Sequence, residues 1–196
     1  MRQGAHGRLT HEIRQPASTI GLNQSDLMEG QLVDEQLVRQ ALIGTINGGQ
    51  AFMTIDVAVS DFPSEHYNTQ PPNVLYSFWA ILEHIRLCST DILDYIRNPD
   101  YRELEWPLEL WPPAGSTADS AAWNATISAI HADLAEYRAL VENSSSDLTS
   151  LALHADGNAT HTLLREILVV LDHNAYHLGE FAILRQVMGL WPADHA

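Results

Sequence analysis

Basic residues are scarce in this chain: Lys and Arg together number 10 against 25 Asp and Glu, for a formal charge of −15. Binding to a phosphate backbone or an anionic membrane surface rests on clustered positive charge, so nucleic-acid and membrane-surface functions are excluded as leading readings. Cysteine is nearly absent. Cys88 is the single one, which rules out an internal disulfide and leaves a thiol more often met as a small buried apolar group than as a nucleophile. Long apolar runs are missing too: no stretch approaches the roughly 18 residues of a membrane span without an interrupting Asp, Glu or Arg. The N-terminus has no apolar core of the signal-peptide type, so a soluble cytoplasmic protein is expected. Convincing strand patterns are lacking as well, which leaves an all-α chain.

What is present suffices for one core: 196 residues, of which 45% are hydrophobic. Residues 1–30 read as an N-terminal extension, polar and punctuated by Gly4, Gly7, Pro16, Gly21 and Gly30, and residues 31–196 as the folded domain. Helix one is expected from Leu32 to Asp61 on the spacing of Leu37, Leu42, Ile46, Met53 and Val57, although Gly44, Gly48 and Gly49 weaken it. A loop from Phe62 to Pro72 precedes helix two, traced by Val74, Phe78, Ile81, Ile85, Cys88 and Ile92 and stopped at Asn98-Pro99. The long connection that follows holds Trp106-Pro107 and Trp111-Pro112-Pro113. It is too aromatic for a solvated linker, so its tryptophans should pack over the end of the helices. Helix three, capped by Asp119 or Ser120, carries Trp123, Ile127, Ile130, Leu134, Tyr137 and Val141 at steps of three and four, before a loop with Gly157 as its turn residue. Helix four, capped by Thr160 or Thr162, runs through Leu164, Ile167, Leu171, Phe181 and Leu184 to Gly189. Four amphipathic helices with two long connections predict a four-helix bundle, an architecture that builds metal sites from facing helices.

His173 and His177 lie one helical turn apart on helix four, so both imidazoles can converge on one divalent cation. Glu166 and Glu180 fall within about 20° of His173 on the helical wheel. The stripe borders Val170, Phe181 and Leu184 and therefore the core. On helix two, Ser77, His84, Cys88 and Asp91 form a comparable stripe, which offers His84 as a third ligand. Three imidazoles suit Zn, Ni, Fe or Cu and leave coordination positions open to water or substrate. Glu166, Glu180 and Asp91 are the carboxylates available to orient an imidazole or move a proton, and nothing in the spacing ranks them. Histidines 6, 11, 66, 131, 154, 161 and 195 have no converging partners and read as surface residues.

From about Leu37 to Pro192 the chain resembles the DinB-like (DinB/YfiT-like) superfamily of metalloenzymes. The resemblance is carried, in order, by Trp79-Ala-Ile-Leu-Glu-His-Ile-Arg86, Tyr101-Arg-Glu-Leu-Glu-Trp-Pro107, Leu110-Trp-Pro112, Thr162-Leu-Leu-Arg-Glu166 and Asp172-His-Asn-Ala-Tyr-His-Leu-Gly179. It implies a four-helix bundle, often a homodimer, with a divalent metal on His84, His173 and His177. It also implies chemistry on low-molecular-weight thiols or other small molecules, as in mycothiol-dependent maleylpyruvate isomerase and bacillithiol S-transferase. Glu180 departs from the pattern, where Gln is common. His11-Glu12-Ile13-Arg14-Gln15-Pro16 resembles the phosphoacceptor box of sensor histidine kinases, but no Gly-rich ATP-binding segment follows it. Three functions compete: a metal-dependent transferase or hydrolase using a thiol or water; a non-catalytic metal- or ligand-binding bundle, favoured if Glu180 or Cys88 closes the coordination shell; and a phosphorelay fragment built on His11.

Overall fold

Local sequence signals set the ends of the helices in the computed structural model, which describes residues 24–48, 50–152 and 159–193, with side chains from Glu35 onward. The His11 segment, most of the 1–30 extension, His6, Gly49, His154, Gly157 and His195 lie outside the described residues. Five helices follow in order: α1 (Gln24–Ile46), α2 (Ile55–Val59), α3 (Phe78–Arg97), α4 (Ser120–Glu142) and α5 (Leu163–Val187). A 3-10 turn covers Ser64–His66, and among the described residues the sole pairing of strand type is an isolated bridge between Leu151 and Thr162. The all-α expectation holds among the described residues. None of the described helices is long and apolar enough to cross a membrane.

Side-chain oxygens take up the free N–H groups at the helix starts: Ser77 accepts from Ala80, Asp119 from Ala122 and Thr162 from Arg165. Asp119 is thus the cap of α4 rather than Ser120, and Thr162 that of α5 rather than Thr160. Helix α3 begins at Phe78, not near Val74, because Ser77 already holds extended dihedrals. At the far end of α5, Gly189 adopts φ +65°, Leu190 N–H reaches the Arg185 carbonyl and Gly189 N–H that of Gln186. This is a Schellman closure, and it fits the glycine expected at that position.

Helix one does not run from Leu32 to Asp61 as its spacing suggested. It starts earlier, at Gln24, stops at Ile46, and a separate short helix, α2, carries Val57. The break lies at Gly48, whose φ of +75° reverses the chain and whose missing Cβ leaves room for the Thr54 side chain. Thr54 in turn caps α2. Gly48→Ala forces both a left-handed alanine and a collision with Thr54, so it should destabilise the fold by about 1–3 kcal/mol. Urea denaturation measures this; a variant as stable as the parent would show that the turn is not needed.

Residues 36–196 form one compact unit, which contains His84, Asp91, Glu166, His173, His177 and Glu180. Helix α3 packs against α4 and α5. One part of the core joins Phe62, Phe78, Trp123 and Phe181, with α2 contributing Ile55 and Ala58; the other joins Leu42, Ile46, Leu93, Tyr137, Val141 and Ile167. Arg39 closes the end of α4 by donating to the Val141 carbonyl (2.6 Å) and the Asn143 carbonyl (3.2 Å), which places a cation at the negative end of the helix dipole. Arg185 is fully buried. It ties α5 to α2 through the Ala58 carbonyl (2.8 Å) and lies over the rings of Phe62 and Trp191.

Candidate metal centre

Helices α3 and α5 bring His84, His173 and His177 together from distant parts of the chain. Ring centroids are 5.0 Å apart for His84 and His173, 4.8 Å for His84 and His177, and 4.6 Å for His173 and His177. His84 is almost wholly buried. Its Nε2 stands 3.2 Å from Nε2 of His173. Two nitrogens bound to one ion at about 2.0–2.1 Å in tetrahedral geometry would be about 3.3 Å apart, so this pair fits a shared metal.

Each of the three rings turns Nδ1 toward an oxygen. His84 Nδ1 donates to the Leu110 carbonyl at 2.5 Å, His177 Nδ1 to Glu180 Oε2 at 2.9 Å, and His173 Nδ1 meets Asn174 Oδ1 at a longer 3.5 Å. A carbonyl or carboxylate oxygen only accepts, so in His84 and His177 Nδ1 carries the proton and Nε2 keeps its lone pair. Outer partners of this kind fix the tautomer a metal-binding imidazole needs. Glu180 also accepts from the Tyr76 hydroxyl, and burial alone holds its carboxyl above the ordinary range.

The described residues also hold a group of ligand atoms with a different third member. Atoms of His84, Cys88 and His173 all lie within 4.8 Å of one another, and this cluster can coordinate a metal ion. Cys88 Sγ is 3.5 Å from Nδ1 and 3.8 Å from Nε2 of His84, nearly equidistant and therefore off the Nε2 lone-pair axis. Burial pushes its thiol up to about 12, far from the thiolate that binds metal.

All three imidazoles are held neutral. Burial is the largest cause for each; for His177, reinforced by His173 and His84, the pKa falls to about 3. Protons therefore compete weakly with a metal, and affinity should stay nearly flat between pH 8 and 6.5, where ordinary imidazoles would already be half charged. Metal titration over that range tests this; a steep loss by pH 6.5 would contradict it. The sign for the metal-free fold follows from the same shifts. The unfolded chain takes up protons first as pH falls below about 6.5, so stability present above that value is lost toward the folded pKa.

The connection between α3 and α4 folds back over the imidazoles. Trp111 stacks on His84 at 3.9 Å and 5° and packs against Tyr76, as the aromatic loop suggested. Trp106 does not follow: its ring reaches within 6.0 Å of His84 but remains 65% exposed.

Asp91 and Glu166 are not brought to the imidazoles. Each lies seven residues from its histidine, His84 or His173, and so about 10 Å along the helix. They meet in a separate groove. There Asp91 accepts from Tyr101 (3.1 Å), and the buried Glu166 binds Arg165 (2.6 Å) and His161 (2.8 Å). His161 and His131 lie at the surface as expected, and each has a carboxylate partner there, Glu166 and Asp56. Sequence reasoning missed Tyr76, the Leu110 carbonyl and Asn174. Only Asn174 left a signal, as a polar residue on an inward helix face between two histidines.

A family model described as the DinB superfamily matches residues 50–181, more than half of the chain and inclusive of all three histidines. No curated protein and no solved structure matches.

Proposed function

The chain belongs to the DinB superfamily, and from that premise we propose that it is an enzyme holding one divalent transition metal on His84, His173 and His177 and acting on a low-molecular-weight thiol. The observation that carries this reading is the gathering of the three rings, with His84 Nε2 at 3.2 Å from His173 Nε2 and with Nδ1 of His84 and of His177 spent on oxygens. A bound Zn, Ni or Fe ion would supply Lewis acidity, lowering the pKa of a thiol or water enough to make a nucleophile at neutral pH. The protein's part is to hold the ligands and keep water out. Leu110 and Glu180 fix two tautomers, and Trp111 covers His84. His177 is the third ligand in this reading, its ring centroid 4.8 Å from that of His84 and 4.6 Å from that of His173. Elemental analysis of the purified chain, followed by a screen of several low-molecular-weight thiols against an electrophile, tests the reading; a metal-free chain, or a loaded one inert to every thiol, would count against it.

A second reading has its own observation. With Cys88 as third ligand, beside His84 and His173, the site is more enclosed and suits a structural or metal-binding role without catalysis.

We also propose a homodimer. Leu37 and Val38 on α1 are exposed, but the longer unpartnered apolar face is on α5, where Leu168, Tyr176, Ile183 and Val187 are each more than half exposed. Gly179 lies on that face with open space where a Cβ would be, so a second α5 can approach closely. Light scattering should give a dimer at micromolar concentration and a monomer for Ile183→Glu; a monomeric parent would refute the proposal.

A further inference from the structure

A cavity of about 280 Å³ lies among α2, α4, α5 and the end of α1. Its depth is apolar, formed by Ile55, Ile85, Ile130 and Leu178, and it is lined there also by Asn174, which is only 5% exposed. The Asn174 oxygen is engaged by Ser89 and His173, both at 3.5 Å. Its amide nitrogen donates to none of the described residues, and Asn174 is one of the residues that line the cavity. A buried donor without an acceptor is costly, and a cavity wall that presents one favours an occupant with an oxygen in that place.

The mouth adds a charge. Arg86, Arg97, Arg102 and Arg165 each face a carboxylate, but Arg138 at the cavity rim donates to the neutral amide of Asn47. The nearby Asp56 is held by His131 at 2.9 Å. We propose that this cavity is a second small-molecule site, adjoining the imidazole cluster through Asn174, for an apolar oxo-carboxylate. Its carboxylate pairs with Arg138 and its distal carbonyl accepts from Asn174. An apolar cavity of about 150 Å³ holds benzene, so this one takes a body of roughly eight carbons.

Calorimetric titration of the full chain with 7-oxooctanoate and octanoate tests the assignment. Saturable binding of the oxo acid at least about tenfold tighter than octanoate is expected, since octanoate leaves the Asn174 donor unsatisfied. Arg138→Gln, a change at the surface, should weaken both acids by a similar factor. Asn174→Leu should erase the preference for the oxo acid; if that variant does not fold, Asn174→Ser reads the same difference. Absence of saturable binding by the parent, or equal affinity for the two acids in parent and Asn174 variant alike, would overturn the proposal.

Discussion

Alanine in place of His84, His173 or His177, one at a time, is expected to reduce the chain from about one divalent metal ion to almost none, with affinity falling by more than about 100-fold. Loss of an outer partner alone costs roughly 10–100-fold, and loss of a bond to the ion exceeds that. Cys88→Ala separates the two donor sets. If His177 ligates, the cysteine variant keeps its metal; if it is Cys88 that ligates, His177→Ala keeps it instead, and the site reads as structural. His84 is buried, so its Ala variant also leaves a void, and His84→Gln serves as a second version that preserves volume. Elemental analysis beside a far-ultraviolet helical spectrum decides. Full occupancy in all three histidine variants would refute the site.

Glu180→Gln should weaken metal binding by roughly 10–100-fold while leaving the fold intact. The carboxylate accepts at both oxygens, from His177 Nδ1 and from the Tyr76 hydroxyl. Gln offers one accepting oxygen and no charge, so one partner is lost and the His177 imidazole becomes a poorer donor of its lone pair. A less electron-rich ligand set leaves a bound metal more Lewis acidic, and any thiol-transfer rate should therefore rise as affinity falls. Tyr76→Phe provides the comparison, since it removes the phenol and spares the charge. Metal titration from pH 6 to 8 is the measurement. Affinity equal to the parent throughout would mean that the Glu180 contact to His177 has no bearing on the metal.

The helices and their inward stripes were legible because periodicity and caps are local properties. Phe78 to Arg97 and Ser120 to Glu142 follow from residues within a few positions of their ends. His84 and His173 could be placed on inward faces by the same arithmetic, and their neighbourhood was legible only as a resemblance. The break after Ile46 was harder to read: glycines were visible there, but that Gly48 takes positive φ depends on Thr54 packing into the turn. The separation of Glu166 from the imidazoles was not legible at all. A helical wheel gives an angle and discards height, so residues seven apart look like neighbours although they stand two turns apart. Tyr76 and the Leu110 carbonyl belong to connections whose return over α3 and α5 no periodicity encodes.

The stacking of Trp111 on His84 gives the protein a built-in optical reporter. With the indole 3.9 Å from the imidazole, an ion held on that ring would lie within a few ångströms of the fluorophore. Open-shell ions such as Ni²⁺ or Fe²⁺ quench indole emission at such range, whereas closed-shell Zn²⁺ has no low-lying d–d states and leaves it bright. Unlabelled protein would thus tell by its own glow which kind of ion it carries, and replacing both Trp111 and Trp106, the latter 6.0 Å from His84, with Phe would silence that signal while Trp79, Trp123 and Trp191 kept the background.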